Sequence, residues 1–221
     1  SLVRVSAASS RSPSRATILT GLYAHRHGVL DNVTPMPANT PLFPIELQKA
    51  GYDTAFCGKW HMGGGSDAPQ PGFNRWVSFK GQGIYVNPTF NIDGESKKQD
   101  GYITDLLTDY AIDFIKAPRK TPFFMYLSHK AVHAEFTPAE RHKGCYADKK
   151  YPYPASMADT EENYKGKPEW VRRQRNSWHG VDGMYNKTTD FDTFVRDYAE
   201  TLRAVDVVAS DFVPPSKTAR L

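Results

Sequence analysis

Two neighbouring segments with different hydrophobic periods limit most strongly what this chain can fold into. Ile103 to Lys116 sets Ile103, Leu106, Leu107, Tyr110, Ala111, Phe114 and Ile115 on one apolar stripe at spacings of three and four, the pattern of an amphipathic helix. Pro122 to Ser128 (PFFMYLS) then runs apolar without a break and reads as a buried strand of a parallel sheet. Upstream, Tyr52 to Cys57 lies between Gly51 and Gly58 and reads as a second strand feeding a loop. This strand–loop–helix rhythm predicts an α/β fold with a mainly parallel sheet sandwiched by helices.

The remaining segments fill in that layout. After Pro13, Ser14 to Thr20 is a short helix stopped by Gly21. Thr40 and Pro41 are expected to open another helix, as N-cap and first helical residue, with Leu42, Ile45 and Leu47 at helical spacing and Gly51 ending it. Residues 62–101 are rich in Gly, Asn, Pro and Asp, which predicts surface loops with a hairpin around Phe90–Gly94. Residues 134–190 are polar, aromatic and loop-rich, an expected elaboration over one end of the sheet. Phe191, Phe194, Val195, Tyr198, Leu202 and Val205 outline a last amphipathic helix, and a frayed tail carrying Pro214-Pro215 is expected after it. No internal repeat is present.

Composition excludes several classes. With 221 residues, one domain is the default, and such a chain buries roughly 70% of its unfolded surface. Aromatic residues reach 13%, too many for a disordered chain. No apolar run approaches the ~18 residues of a membrane span, and no basic-then-apolar start reads as a signal peptide. The opening residue is Ser1 rather than Met, so a processed or partial product is expected. Cys57 and Cys145 are too few for a disulfide framework. The net charge of +4 comes from 28 basic and 24 acidic residues. That excess points weakly to an anionic substrate and away from nucleic acid, and no recognition helix or aromatic-basic RNA motif is present. Lys149-Lys150 and Arg172-Arg173-x-Arg175 read as solvated faces.

Four clusters bring chemistry-bearing residues together. In Ser12-Pro13-Ser14-Arg15, a proline followed by a short helix aims free backbone N–H groups at whatever lies before it, and Arg15 adds a fork of donors for an oxyanion. An ordinary capped surface helix is the alternative. Gly58-Lys59-Trp60-His61-Met62-Gly63 comes directly after a strand, the favoured place for reactive side chains in open α/β sheets. Lys59 and His61 alternate, and so share one side of an extended backbone. Such a pair neutralises an anion and donates a proton. His129-Lys130-Ala131-Val132-His133 comes after the second strand, although His129 alone equally fits a structural histidine. His25-x-His27 is half of a zinc site, but no Cys or His cluster elsewhere completes it.

In order and spacing, the first three clusters resemble the sulfatase family. Its signature of Cys or Ser, any residue, Pro, any residue, Arg, then Leu-Thr-Gly is met by Pro13, Arg15, Leu19, Thr20 and Gly21. Its Gly-Tyr-x-Thr block and Gly-Lys-Trp-His-x-Gly block are met by Gly51-Tyr52-x-Thr54 and Gly58-Lys59-Trp60-His61-x-Gly63. Its apolar strand ending in a histidine-bearing loop is met by Phe123 through His133. The likeness spans about 12–206, and the loop-rich middle is most similar to the N-acetylglucosamine-6-sulfatase branch.

The resemblance implies an alkaline-phosphatase-like catalytic domain that hydrolyses sulfate esters of sugars or glycans through a formylglycine. Residues 1–221 then form one partial catalytic domain, with 1–11 and 207–221 atypical. The resemblance further implies that Arg15 holds the formylglycine, Lys59 contacts the sulfate, His61 assists hemiacetal breakdown and His133 protonates the leaving alcohol. Preorganised cations stabilise the charge that sulfate transfer builds. The residue aligned with the formylglycine is Arg11, which has no nucleophilic oxygen, so little or no activity is expected of the chain as it stands. The resemblance also implies calcium, held by an Asp-Asp pair before Ser1 and an Asp-Asn pair after the last helix. Neither pair is found here, and Ser210-Asp211 leads into Phe212 rather than Asn. The expected partner is a sulfated carbohydrate or other sulfate ester, with no nucleic acid and no membrane, and the expected location is periplasmic, extracellular or lysosomal. A non-catalytic sulfate- or glycan-binding derivative keeping Arg15, Lys59, His61 and His133 is the alternative.

Overall fold

The computed structural model describes residues 12–63, 65–177, 181 and 190–212. The chain divides into two compact units, Ser1–His133 with Ala204–Leu221, and Ala134–Arg203. In order, the elements are α1 (Ser12–Thr20), α2 (Ala24–His27), α3 (Phe43–Lys49), β1 (Asp53–Gly58), β2 (Arg75–Ser78), β3 (Thr89–Ile92), β4 (Glu95–Lys98), α4 (Ile103–Lys116), β5 (Phe123–Ser128), α5 (Glu161–Tyr164), α6 (Glu169–Arg173) and α7 (Phe191–Phe212).

A five-stranded sheet of order β4-β3-β2-β1-β5 forms the frame of the first unit. β1 pairs in parallel with both β2 and β5, whereas β3 is antiparallel to β2 and to β4. The sheet is therefore mixed, with parallel pairing confined to β2-β1-β5. The β3–β4 pairing follows from its hairpin: Asp93 at φ 52° and Gly94 at φ 101° make a two-residue turn, and so short a link joins only antiparallel strands.

Side-chain alternation along the parallel strands separates two cores. Phe56 is in register with Trp76 on one side and Tyr126 on the other, and the three rings stack at centroid distances of 4.7 and 5.5 Å. This row packs with Ala16 and Leu19 of α1, Val29, Leu42, Trp60 and Met62. Each large side chain buried there stabilises the fold by roughly 1.5–3 kcal/mol. Cys57, Val77 and Leu127 form the next row, on the opposite face. It meets α4, where the Cys57 thiol donates to the Leu107 carbonyl at 3.3 Å, and burial pushes that thiol up to about 12. Helices thus cover both faces, as expected of an α/β fold.

The structure revises the helix expected from Thr40-Pro41. Leu42 is its N-cap in extended conformation, and the proline in the first turn is Pro44. Leu42 belongs to the buried cluster and Ile45 packs against it, so the chain stays extended to plant Leu42 before it turns. The strand β2 falls within the stretch expected to be mostly surface loops. The helix α7 continues through residues 207–212, where a frayed tail was expected.

Ala134–Arg203, taken by itself, is built among its described residues of turns, short helices and the first part of α7 rather than sheet. Phe136 packs edge-on against Phe194 and Tyr198 at 5.2 and 5.4 Å. The buried Glu200 carboxylate accepts from the backbone of Gly144 and Tyr146 at 3.0 and 3.1 Å. Lys150 pairs with Asp192 at 3.0 Å, and the exposed Arg172 with Glu161 at 2.7 Å, solvent-facing roles as expected, whereas Arg175 is half-buried and donates to the Met157 carbonyl at 3.0 Å.

Candidate functional site

The carboxyl ends of the three parallel strands finish level with one another. Gly58 is in register with Ser78 of β2 and Ser128 of β5, the Ser78 hydroxyl donates to the Gly58 carbonyl at 2.9 Å, and Lys59 N–H donates to the Ser128 carbonyl at 2.7 Å. The close approach requires glycine: Gly58 lies at φ +122°, and a Cβ there would sit 1.9 Å from the Ser128 oxygen. Past this edge the chain releases Lys59 and His61 from β1, Gln82 and Tyr85 from β2, and His129, Lys130 and His133 from β5.

From α1, Arg15 reaches the same edge, its Nε 3.5 Å from the Ser128 hydroxyl. Arg15 is 1% exposed, Lys59 and Lys130 are each 4% exposed, and His61 is 7% exposed. Burial, followed by the charges of Arg15 and Lys130, lowers the Lys59 ammonium to about 7. Burial, followed by Lys59, Arg15 and His133, lowers His61 to about 4. Lys59 therefore lies within electrostatic reach of Arg15 and Lys130, and His61 within reach of Lys59, Arg15 and His133. At neutral pH His61 is a neutral base, and Lys59 is poised between ammonium and amine. Concentrated positive potential in a low-dielectric recess attracts an anion.

Lys59 and His61 do not meet through extended alternation. His61 has φ 54°, in the left-handed region where a side chain other than glycine is strained. The turn is fixed from α1: the Ser12 hydroxyl donates to the His61 carbonyl, and Ser12 N–H donates to Asn32 Oδ1 at 3.1 Å. Lys59 Nζ donates to Gln82 Oε1. The Tyr85 hydroxyl donates to the His133 carbonyl at 2.6 Å.

Arg11 lies outside the described residues. His27 is structural: Nδ1 accepts from Val29 N–H at 3.1 Å, which leaves Nε2 as the donor to the Thr17 hydroxyl at 3.2 Å. His129 is 3% exposed, and neither ring nitrogen has a hydrogen-bond partner among the described residues. Burial lowers it to about 4 against the opposing charge of Asp105.

The sulfatase family model matches residues 3–214 of the chain. The chain belongs to the sulfatase family. Among its relatives, an N-acetylglucosamine-6-O-sulfatase of Bacteroides thetaiotaomicron is 40% identical over 166 residues, 73% of this chain and 28% of that protein. An N-acetylglucosamine-6-sulfatase of Capra hircus is 28% identical over 228 residues, 91% of this chain and 38% of that protein. A solved structure of a protein in complex with its substrate D-glucosamine-2-N,6-O-disulfate superposes with a TM-score of 0.68 at 30% identity, covering 95% of this chain and 46% of that one. The fold is that of the alkaline-phosphatase-like sulfatases, and the chain spans less than half the length of these relatives.

Sulfatases use a metal, and the described residues of this chain give it little to bind. A hard divalent cation takes carboxylate and carbonyl oxygens, about six to eight for calcium. Among the described residues, no three His, Cys, Asp or Glu side chains converge as a ligand set, and the charges acting on Lys59 are cationic. These residues suit an anion and do not fit a metal ion.

Proposed function

We propose that this edge receives the sulfate group of a sulfated sugar, in keeping with the 6-sulfated and N-sulfated glucosamines named for the relatives. In this reading Lys59 contacts the sulfate oxygens, and Arg15 supports the charge at the nucleophile position. His61, held neutral, accepts a proton, and His133 stands by the leaving alcohol. The observation that carries the reading is the electrostatic coupling of Arg15, Lys59 and His61 behind the level strand ends. Preorganised cations of this kind stabilise the negative charge of sulfuryl transfer.

Arg11 takes the formylglycine position by alignment, and arginine supplies no attacking oxygen. The chain as it stands is accordingly proposed to bind sulfate esters without turning them over, a binding derivative of an esterase site. No step of this reading passes through calcium, the metal implied by the resemblance. The location that goes with such substrates is the periplasm, the cell exterior or the lysosome, and among the described residues no helix is long and apolar enough to cross a membrane.

The test uses the whole chain with glucosamine 6-sulfate and an aryl sulfate. Calorimetry should detect glucosamine 6-sulfate binding that is lost in Lys59→Gln, with no aryl sulfate hydrolysis. Absence of binding, or turnover that disappears in Lys59→Gln, would overturn the proposal. Arg11→Cys, co-expressed with a formylglycine-generating enzyme, should acquire the aldehyde, detectable by mass spectrometry, because Pro13 and Arg15 complete the recognised pattern.

A further inference from the structure

The segment after β2 supports the site twice, and its second support reaches a cation that has no assigned role. Tyr85 is 5% exposed. Its carbonyl accepts from Ile103 N–H at 2.8 Å, and its ring stacks on Tyr102 at 5.8 Å, so the start of α4 fixes its position. Lys130 Nζ lies 4.4 Å from the centre of the Tyr85 ring. The hydroxyl of the same ring holds the His133 carbonyl, and His133 N–H closes the turn onto the Lys130 carbonyl at 3.0 Å. One rigid aromatic side chain thus fixes both ends of the 130–133 turn.

We propose that Lys130 is a further anion-binding residue of this site, and that Tyr85 is the positioning residue that holds it and His133 toward the bound sulfate. The proposal rests on the sulfate-binding reading given above. The ring face holds the ammonium through its quadrupole. Lys130 is also near enough to Lys59 for its charge to oppose Lys59 protonation, so both cations act on the same space. Three cations from three segments, Arg15, Lys59 and Lys130, match the several oxygens of a sulfate better than two.

Titration of the full chain with inorganic sulfate by calorimetry tests this. Lys130→Met should weaken sulfate binding about tenfold, the loss of one hydrogen bond to a charged group, and Lys130→Arg should recover most of it. Tyr85→Phe keeps the ring and should keep the Lys130 contribution. Tyr85→Leu should lose it, and combining Tyr85→Leu with Lys130→Met should weaken binding no further than Tyr85→Leu alone. A purely structural tyrosine would give additive losses, and that result overturns its positioning role. If Tyr85→Leu does not fold, the comparison of Lys130→Met with Lys130→Arg still decides the assignment of the lysine. Unchanged binding in Lys130→Met, with binding lost in Lys59→Met, overturns the proposal and leaves the sulfate reading standing. No sulfate binding by the unaltered chain overturns both.

Discussion

Lys59 costs the fold stability for as long as its ammonium is buried beside Arg15 and Lys130. Its folded pKa of about 7 lies below its ordinary value of 10.5, so between those values the unfolded chain binds more protons. Stability therefore rises with pH through that window, and the cost is greatest at and below pH 7. Lys59→Met should raise stability at pH 7 by about 2 kcal/mol, a few degrees in thermal midpoint, while sulfate binding disappears. A variant that is both destabilised and unable to bind would mean that Lys59 is a packing residue. His129 gives the complementary case. Its depressed pKa of about 4 means stability is lost as pH falls from 6.5 toward 4, since the unfolded histidine takes the proton first. His129→Leu, which also removes two unpartnered buried nitrogens, should flatten the stability profile over that range. An unchanged slope from pH 6.5 to 4.5 would argue against it.

At the scale of elements, the junction of β1 with β5 is where sequence and site are joined most tightly. Gly58→Ala would press a Cβ into the Ser128 carbonyl at φ +122°, with backbone rather than a flexible side chain in the way. It should cost on the order of 3 kcal/mol or more and abolish sulfate binding, because Lys59 N–H and the Ser128 carbonyl could no longer pair. Near-native stability in denaturant titration would show that the edge can separate without loss. This junction also shows what the sequence made legible. The stripe of α4 and the apolar run of β5 were readable from period alone, and the glycines at 51 and 58 bracketed β1. The strand β2 was not readable: only Arg75–Ser78 pair, within a stretch dominated by turn residues, and Trp76 and Val77 gain their burial from β1. With β2 hidden, the loop leaving its carboxyl end was hidden too, so Gln82 and Tyr85 went unseen while Lys59, His61 and His133 stood out beside readable strands. The φ 54° turn at His61 was equally invisible, because Ser12 and Asn32 impose it from distant positions.

At the scale of the whole molecule, proton binding is coupled to anion binding through the buried cations. With the site empty, Lys59 and His61 are pushed toward their neutral forms at about 7 and 4. A bound sulfate favours the charged form of Lys59, so its value rises when the anion enters and binding draws a proton from solution. Affinity should therefore be nearly level from pH 6 to just below 7 and fall about tenfold per unit above pH 7, the limit for one linked proton. It should not follow a histidine titration near 6.5, because His61 is neutral there and Lys59 takes up the linked proton. Calorimetry at pH 7.5 in two buffers of different ionisation enthalpy should reveal uptake of up to about one proton per sulfate bound. That uptake should persist in His129→Leu, which alters the pH dependence of folding from outside the anion site. An affinity independent of pH between 7 and 9, with no buffer dependence of the heat, would mean that sulfate binds away from Lys59.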